Sequence, residues 1–204
     1  MGVQTKKKEK LLKYKAQLVV KGFSQKQGSN LDEIFSPVVK MCSIRVILGL
    51  AASINLELEQ FNVNIVLLHG DCDENIFIEE PKGFKVKKKK SVVYKLKKSL
   101  NRLKQGPQQW YKKFDSFMMS QEYNKTIAYP CVYVWRFPNG KFIILLLYVD
   151  DMLIIGQNAD MIRKLKNELS KTFDMKELGT VKHILRMEIL WDRKAGKQWL
   201  LQER

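Results

Sequence analysis

The sequence predicts an α+β fold built on a mainly antiparallel sheet. Short apolar runs typical of strands are mixed with segments of helical apolar spacing along the 204 residues, without the regular alternation of a parallel α/β sheet. Asn139-Gly140 lies between two apolar runs, which is a strong signal for a β-hairpin. With no internal repeat and no linker, we expect one domain, or one large and one small subdomain.

The first half of the chain contains four predicted strands, a polar loop over residues 24–30 and one helix. Ser43 is a plausible N-cap for the helix, whose apolar residues recur at helical spacing through Ser53. The strands are predicted over residues 16–21, 57–63 with an apolar continuation to 68, 76–80 and 91–96.

Two predicted helices in the second half each have a clear apolar face. Pro107 can occupy the first turn of one helix, and Asn158 can cap the other. We interpret the aromatic face of the first as core packing. The two faces comprise Trp110, Phe114, Phe117 and Met118, and then Ile162, Leu165, Leu169 and Phe173. The strands are predicted over residues 131–137, 141–149 and 152–155, followed by a hairpin of residues 181–191 and 198–201.

The charge distribution predicts a polyanionic partner. The chain has 37 Lys and Arg against 21 Asp and Glu, a net charge of +16. Residues 1–26 have a net charge of +7 and residues 82–104 of +11, so the remainder is near neutral. Such basic blocks are typical of nucleic-acid binding, although a solubilising surface is an alternative. An anionic membrane surface is disfavoured, because neither block has an amphipathic apolar face.

Several classes of protein are excluded by what the sequence lacks. No apolar run reaches the roughly 18 residues that a membrane span needs, and the lysine-rich N-terminus lacks a signal peptide. The cysteines (Cys42, Cys72 and Cys131) are isolated and there are two histidines, which disfavours a zinc site and a disulfide framework. We therefore expect an intracellular protein, cytoplasmic or nuclear, that is neither secreted nor membrane-bound.

Two adjacent carboxylates are the sharpest candidate for chemistry. Asp150 and Asp151 lie between two apolar β segments, so they should sit at the tip of a hairpin. Polymerases use carboxylates on a rigid turn to hold two Mg²⁺ ions about 3.5–4 Å apart. An ordinary polar turn is the alternative, since Asp is common in turns.

Further motifs accompany this pair in a specific order. One is Leu68-His69-Gly70-Asp71, and another is Tyr148-Val149-Asp150-Asp151. Together they resemble the reverse transcriptase of copia-type retrotransposons, and the resemblance spans nearly the whole chain. The matching segments are residues 14–25, 32–40, 68–71, 81–84, 103–107, 110–117, 148–151 and 173–179.

The resemblance implies a right-hand polymerase whose palm is built on a ferredoxin-like sheet and whose fingers are inserted into it. Residues 1–204 then correspond to fingers and palm, a reverse transcriptase fragment truncated at both ends, with the thumb absent. It also implies Mg²⁺ as cofactor, with Asp150 and Asp151 as metal ligands. The implied partners are an RNA or DNA template-primer and deoxynucleotide triphosphates.

The sequence departs from the family pattern at the site itself. A catalytic Asp that bridges both metals corresponds to Asn62, which keeps an oxygen ligand but loses the charge that hard cations favour. An aromatic that screens the ribose 2′-hydroxyl corresponds to Leu67, and a Gly that the nucleotide approaches corresponds to Arg102. Lys104 and Gln105, in the motif after that Gly, are implied to face nucleotide or template. Two basic positions of the family correspond to Gln17 and Gln108.

Three functional hypotheses remain at this point. The chain can be a reverse transcriptase domain with impaired catalysis, a non-catalytic nucleic-acid-binding remnant, or a decayed reading frame whose product does not fold stably. Primer extension distinguishes the first hypothesis from the other two. A cooperative melting transition distinguishes the second from the third.

Overall fold

The computed structural model describes residues 19–25, 36–64, 66, 70, 72, 75–80 and 92–202. Within these ranges three helices and eleven strands are found, and a short 3₁₀ turn covers Gly22–Ser24. The helices are α1 (Met41–Ser53), α2 (Gly106–Ser120) and α3 (Ala159–Thr172). The strands are β1 (Glu57–Val63), β2 (Phe77–Glu79), β3 (Val93–Lys95), β4 (Asn124–Lys125), β5 (Val132–Arg136), β6 (Phe142–Tyr148), β7 (Asp151–Gly156), β8 (Met175–Thr180), β9 (His183–Ile184), β10 (Met187–Asp192) and β11 (Lys197–Gln202).

The central element is a six-stranded sheet in the order β4-β5-β6-β7-β1-β8. All its neighbouring strands are antiparallel. In chain order, β1, α2, β6, β7, α3 and β8 form a β-α-β-β-α-β unit, the ferredoxin-like connectivity. This unit places β1 next to β7, although about ninety residues separate them in sequence. The predicted mixture of helices with mainly antiparallel sheet is therefore confirmed.

Two smaller sheets flank the central one. β2 pairs with β3, and β9, β10 and β11 form a three-stranded sheet. Ile76, Leu96 and Leu103 form a small apolar cluster that is separate from the main core. The N-terminal segment joins this region through the Val20 amide, which donates to the Asn101 carbonyl at 3.1 Å.

The helices of the central unit begin where the sequence predicts. Pro107 lies in the first turn of α2, where its missing amide hydrogen costs nothing. Asn158 caps α3, and its Oδ1 accepts from the Asp160 amide at 2.7 Å. The predicted core faces are confirmed. On α2, Trp110, Phe114 and Met118 are almost fully buried and Phe117 is partly buried, and the buried apolar residues of the second face are Ile162, Leu165, Leu169 and Phe173.

Other predictions of local structure were wrong or fall outside the described residues. The predicted cap Ser43 lies inside α1, which begins at Met41 with Lys40 in the cap position. The helix thus starts three residues early, and the buried Ser43 hydroxyl has no partner in the described part of the chain. β8 was not predicted, because Met175–Thr180 lacks a strand-like alternation. Half of the predicted strand over residues 16–21 lies outside the described residues, and the other half forms only an isolated bridge from Val19 to Asn101.

One buried lysine fastens α3 to the sheet. Lys166 Nζ lies 2.5 Å from Glu59 Oε2 on β1 and 3.0 Å from Glu177 Oε2 on β8. Burial alone lowers the pKa of Lys166, but its hydrogen bonds to the two glutamates raise that pKa above its ordinary value. The ammonium also lies 4.9 Å from the centre of the Phe61 ring. α3 therefore covers the face of β1 that carries Glu59 and Phe61.

No helix in the described part of the chain is both long enough and apolar enough to cross a membrane.

Candidate active site

The two candidate aspartates lie at the tight turn between β6 and β7. Tyr148 pairs with Asp151, so Val149 and Asp150 form a two-residue hairpin loop. Asp150 therefore belongs to the loop, whereas Asp151 is the first residue of β7. Val149 has a φ of 54°, a conformation that β-branched residues rarely adopt and that costs about 1–3 kcal/mol. Val149 has a positive φ but Asp150 does not. This combination is typical of a type II′ turn, in which the first loop residue is usually Gly.

Asn62 lies directly beside Asp151. The two residues are cross-strand partners in the β1–β7 pair, and their side chains share one face of the sheet. Asn62 Nδ2 donates to Asp151 Oδ1 at 3.1 Å, and Gln60 Nε2 approaches the same oxygen at 3.4 Å. One carboxylate oxygen of Asp151 therefore accepts from two neutral amides.

This amide–carboxylate cluster, made of Gln60, Asn62 and Asp151, faces away from α3. Side chains alternate between the two faces of a strand, and Lys166 of α3 contacts Glu59 and Phe61. Gln60 and Asn62 consequently project from the opposite face of β1. The cluster therefore lies on the opposite side of β1 from α3.

The hairpin loop is fixed by two hydrogen bonds from other elements. The Val63 amide of β1 donates to the Asp150 carbonyl at 2.9 Å. The Trp110 Nε1 group of α2 donates to the Val149 carbonyl, also at 2.9 Å. Trp110 is only 1% exposed, so its single polar atom reaches this loop from within the core. Both peptide groups of the loop are thereby tied to the β-α-β-β-α-β unit.

Lys104 and Gln105 form a second cluster with Gln25, in the segment that leads into α2. Arg102 lies in the same segment, close to Gly22. Gln25 Oε1 accepts from the Lys104 amide at 3.1 Å, and Gln25 Nε2 donates to Gln105 Oε1 at 3.0 Å. The Lys104 ammonium donates to the Gln25 carbonyl at 3.1 Å. This cluster joins the N-terminal segment to the start of α2.

The backbone at Arg102 has the conformation that glycine favours. Its φ is 70°, and its side chain is exposed. A Cβ added at Gly22 would lie 1.8 Å from the Arg102 carbonyl oxygen, so the two segments are in close backbone contact. A residue with a side chain thus occupies a backbone position suited to Gly.

The predicted site residues are therefore brought together only in part. The Asn62 side chain contacts Asp151, and the adjacent Asp150 is held through its carbonyl by the Val63 amide. Lys104 and Gln105 lie in the second cluster, and Arg102 lies beside Gly22. Leu67 and Gln17 lie outside the described residues. Gln60 was missed, although its position two residues before Asn62 places it on the same strand face. The roles of all these residues in binding or catalysis stay predictions.

Comparison with known proteins identifies the family. The family described as reverse transcriptase (RNA-dependent DNA polymerase) matches residues 2–202. The chain belongs to the reverse transcriptase family. It is 60% identical over 195 residues, 96% of its length, to the retrovirus-related Pol polyprotein from transposon TNT 1-94 of Nicotiana tabacum.

More distant relatives of this reverse transcriptase domain have similar names. It is 34% identical over 179 residues to the retrovirus-related Pol polyprotein from transposon RE1 of Arabidopsis thaliana, and 27% identical over 180 residues to the transposon Ty1-NL2 Gag-Pol polyprotein of Saccharomyces cerevisiae. Each of these two alignments covers 87% of the chain. The chain spans 15%, 12% and 10% of these three relatives, in the order named. No solved structure is a significant match.

The donor set at Asp151 does not fit the pair of divalent metal ions that reverse transcriptases generally use. The described residues contain no group of three or more Asp, Glu, His or Cys side chains that could hold a metal ion. Two carboxylates lie at the turn, and the third position offers the amide of Asn62, whose nitrogen already donates to Asp151. Hard cations favour charged oxygen ligands, and an N–H donor aimed at Asp151 Oδ1 competes with a cation for that oxygen.

Proposed function

We propose that this domain binds primed nucleic acid as a member of the reverse transcriptase family but does not incorporate nucleotides at a measurable rate. The single observation that carries the catalytic part is the hydrogen bond of 3.1 Å between Asn62 and Asp151. A group that should stabilise two cations is here a neutral donor to its neighbouring carboxylate. Loss of one member of a catalytic unit commonly removes most of the rate, because such residues act together.

The division into palm and fingers is part of the same proposal. We assign the six-stranded sheet with α2 and α3 to the palm, since it carries Asp150 and Asp151 between two of its central strands. We assign the cluster around Ile76, Leu96 and Leu103 to the fingers, because it has its own apolar core and its own small sheet.

The conformation of Arg102 supports impaired catalysis by an argument that does not involve the metal site. Its φ of 70° is the conformation for which Gly is the usual residue. If the incoming nucleotide approaches this backbone, as the resemblance implies, the Arg102 side chain competes with it for space. Positioning contributes a large part of the acceleration of phosphoryl transfer, so an obstructed nucleotide lowers the rate even when charge is restored.

The basic segments supply the nucleic-acid affinity in this proposal. The net charge is +16, and the described part of the second basic block contributes Lys95, Lys97, Lys98, Arg102 and Lys104 close in sequence. Cationic side chains release counterions that condense on phosphates, so the affinity is independent of base sequence and falls steeply with salt. We expect the domain to act inside the cell, in the cytoplasm or nucleus.

Primer extension on an RNA template with three proteins tests the catalytic part. The unmodified chain should give no product, and Asn62→Asp should give a partial recovery. Asn62→Asp combined with Arg102→Gly should give more product than Asn62→Asp alone. Efficient extension by the unmodified chain would refute the impairment. Equal rates for the single and double variants would refute the role of Arg102.

A purely non-catalytic binding module is the second candidate, favoured by the basic segments. It shares the binding but predicts no recovery in any variant. Fluorescence anisotropy with a labelled RNA–DNA duplex measures the binding directly. The dissociation constant should rise by at least about tenfold between 50 and 200 mM salt, as expected for several phosphate contacts. An affinity that does not change with salt would contradict both candidates.

A further inference from the structure

We propose that Trp110 is a positioning residue for the hairpin loop that carries Asp150. Its indole N–H holds the Val149 carbonyl and so fixes the direction in which Asp150 and Asp151 project. The inference rests on the proposed function only in taking Asp150 and Asp151 as residues of a polymerase site. The geometry itself is independent of nucleic acid and nucleotide.

The polar atom of Trp110 is buried and directed at the loop. An indole nitrogen can only donate, and buried donors without a partner are costly. Here the donor meets the Val149 carbonyl at 2.9 Å. The Trp110 ring contacts two phenylalanine rings. Phe114, also on α2, lies at a centroid distance of 5.5 Å, and Phe173, at the end of α3, lies at 5.1 Å. The donor therefore has little freedom to reach another acceptor.

The loop needs such a support because its conformation is unfavourable by itself. Val149 is β-branched and has a φ of 54°, which persists only where surrounding contacts determine it. The Val63 amide holds the Asp150 carbonyl from β1, and Trp110 holds the preceding carbonyl from α2. Loss of either hydrogen bond leaves one peptide group of the loop free to rotate, and the adjoining Asp150 side chain rotates with it.

Core packing alone is the competing explanation, and it was the interpretation drawn from the sequence. The two explanations separate in the variant Trp110→Phe, which keeps an aromatic ring but removes the donor. Under core packing, any loss of stability is shared by the whole core. If Trp110 positions the loop, the loss of stability is concentrated in the hairpin loop.

Hydrogen exchange measured by NMR on the unmodified chain provides the first test. The four Trp residues of the sequence give four indole N–H signals, and Trp199 is an internal reference with 46% exposure. The Trp110 indole hydrogen should exchange at least about a hundredfold more slowly than that of Trp199, because it is buried and hydrogen-bonded. Similar exchange rates for the two would overturn the proposal, whatever the fate of any variant.

The variant Trp110→Phe provides the second test. The protection of the Val63 amide, which donates to the Asp150 carbonyl, should fall at least about tenfold. The Leu147 amide, which donates to Cys131 on the other side of β6, should keep its protection within about threefold. An equal loss at both amides, or no loss at Val63, would overturn the positioning role.

Trp135→Phe is the matched control. Trp135 stacks on Phe137 and pairs with Ile143, at the far end of β6 from the loop. This substitution should leave the Val63 protection unchanged. Neither test uses nucleic acid or nucleotide, so failure here leaves the proposed function standing. Conversely, a failure of primer extension or duplex binding leaves these two results unaffected.

Discussion

Replacing Asn62 by Asp should convert the amide–carboxylate cluster into a repulsive pair that divalent cations stabilise. In the unmodified chain the Asn62 amide donates to Asp151 Oδ1 at 3.1 Å. In Asn62→Asp a second carboxylate occupies this place, and the hydrogen bond is lost. The folded domain should therefore become less stable without divalent cations and should recover when they are added.

The expected loss follows from the distance and the burial. Two unit charges about 4 Å apart repel by about 4 kcal/mol at an effective dielectric constant of about 20, which suits half-buried groups. Relaxation of the side chains reduces this value, so we expect the free energy of unfolding to fall by about 2–4 kcal/mol. If the variant binds Mg²⁺ with a Kd of about 1 mM, about 10 mM Mg²⁺ restores about 1.4 kcal/mol.

The assay is urea unfolding at neutral pH with either EDTA or Mg²⁺. Asn64→Asp is the matched control, because Asn64 Nδ2 donates to Asp174 Oδ1 at 3.2 Å in an exposed pair. The same chemical change there should cost about 1 kcal/mol or less, since water screens exposed charges. The unmodified chain should show almost no dependence on Mg²⁺.

Two outcomes would refute this reasoning. Equal stability of Asn62→Asp and the unmodified chain in EDTA would show that Asn62 and Asp151 are not in contact. A stability of the unmodified chain that rises with Mg²⁺ as much as that of Asn62→Asp would show that the amide does not compete with the cation.

Three further predictions concern stability and are checked by urea unfolding. Lys166→Met should lower the free energy of unfolding by about 1–2 kcal/mol, because Glu59 is left half-buried without its partner, and a change near zero would contradict this. Val149→Gly should raise it by about 1 kcal/mol by relieving the positive φ, whereas a clear loss would show that the valine is not strained. Burial raises the pKa of the Cys131 thiol from 9.0 to about 11. The unfolded thiol therefore ionises first as the pH rises, so the unmodified chain should lose about 1 kcal/mol more than Cys131→Ala between about pH 8 and 10, and an equal loss in both would contradict the shift.

The fold was predictable wherever the sequence pattern is local. The Asn139-Gly140 turn, the cap at Asn158 and Pro107 in the first turn of α2 depend on a few neighbouring residues, and each of these predictions is confirmed. β8 was missed because it is an edge strand whose residues are mostly exposed, and pairing with β1 rather than any apolar alternation makes it a strand. The start of α1 was missed because Lys40 occupies the cap position without a capping side chain.

The candidate site was only partly predictable, because its contacts join distant segments. The neighbours Asp150 and Asp151 could be found from their own flanking residues, and Asn62 from the family motif. The hydrogen bond from Trp110 to Val149 joins residues 39 apart, and an aromatic face on a helix gives no sign of where its one polar atom points. The positive φ of Val149 was equally hidden, since its side chain is typical of a strand interior.

Single-nucleotide incorporation by the unmodified chain tests the central claim most directly. The measurement compares the unmodified chain with Asp151→Ala on a primed RNA template in Mg²⁺, after binding of the duplex by both proteins has been verified. The two proteins should be equally inactive, because Asn62 has already removed the charge that the site requires. The central claim would be contradicted if the unmodified chain incorporated the nucleotide and Asp151→Ala abolished that incorporation.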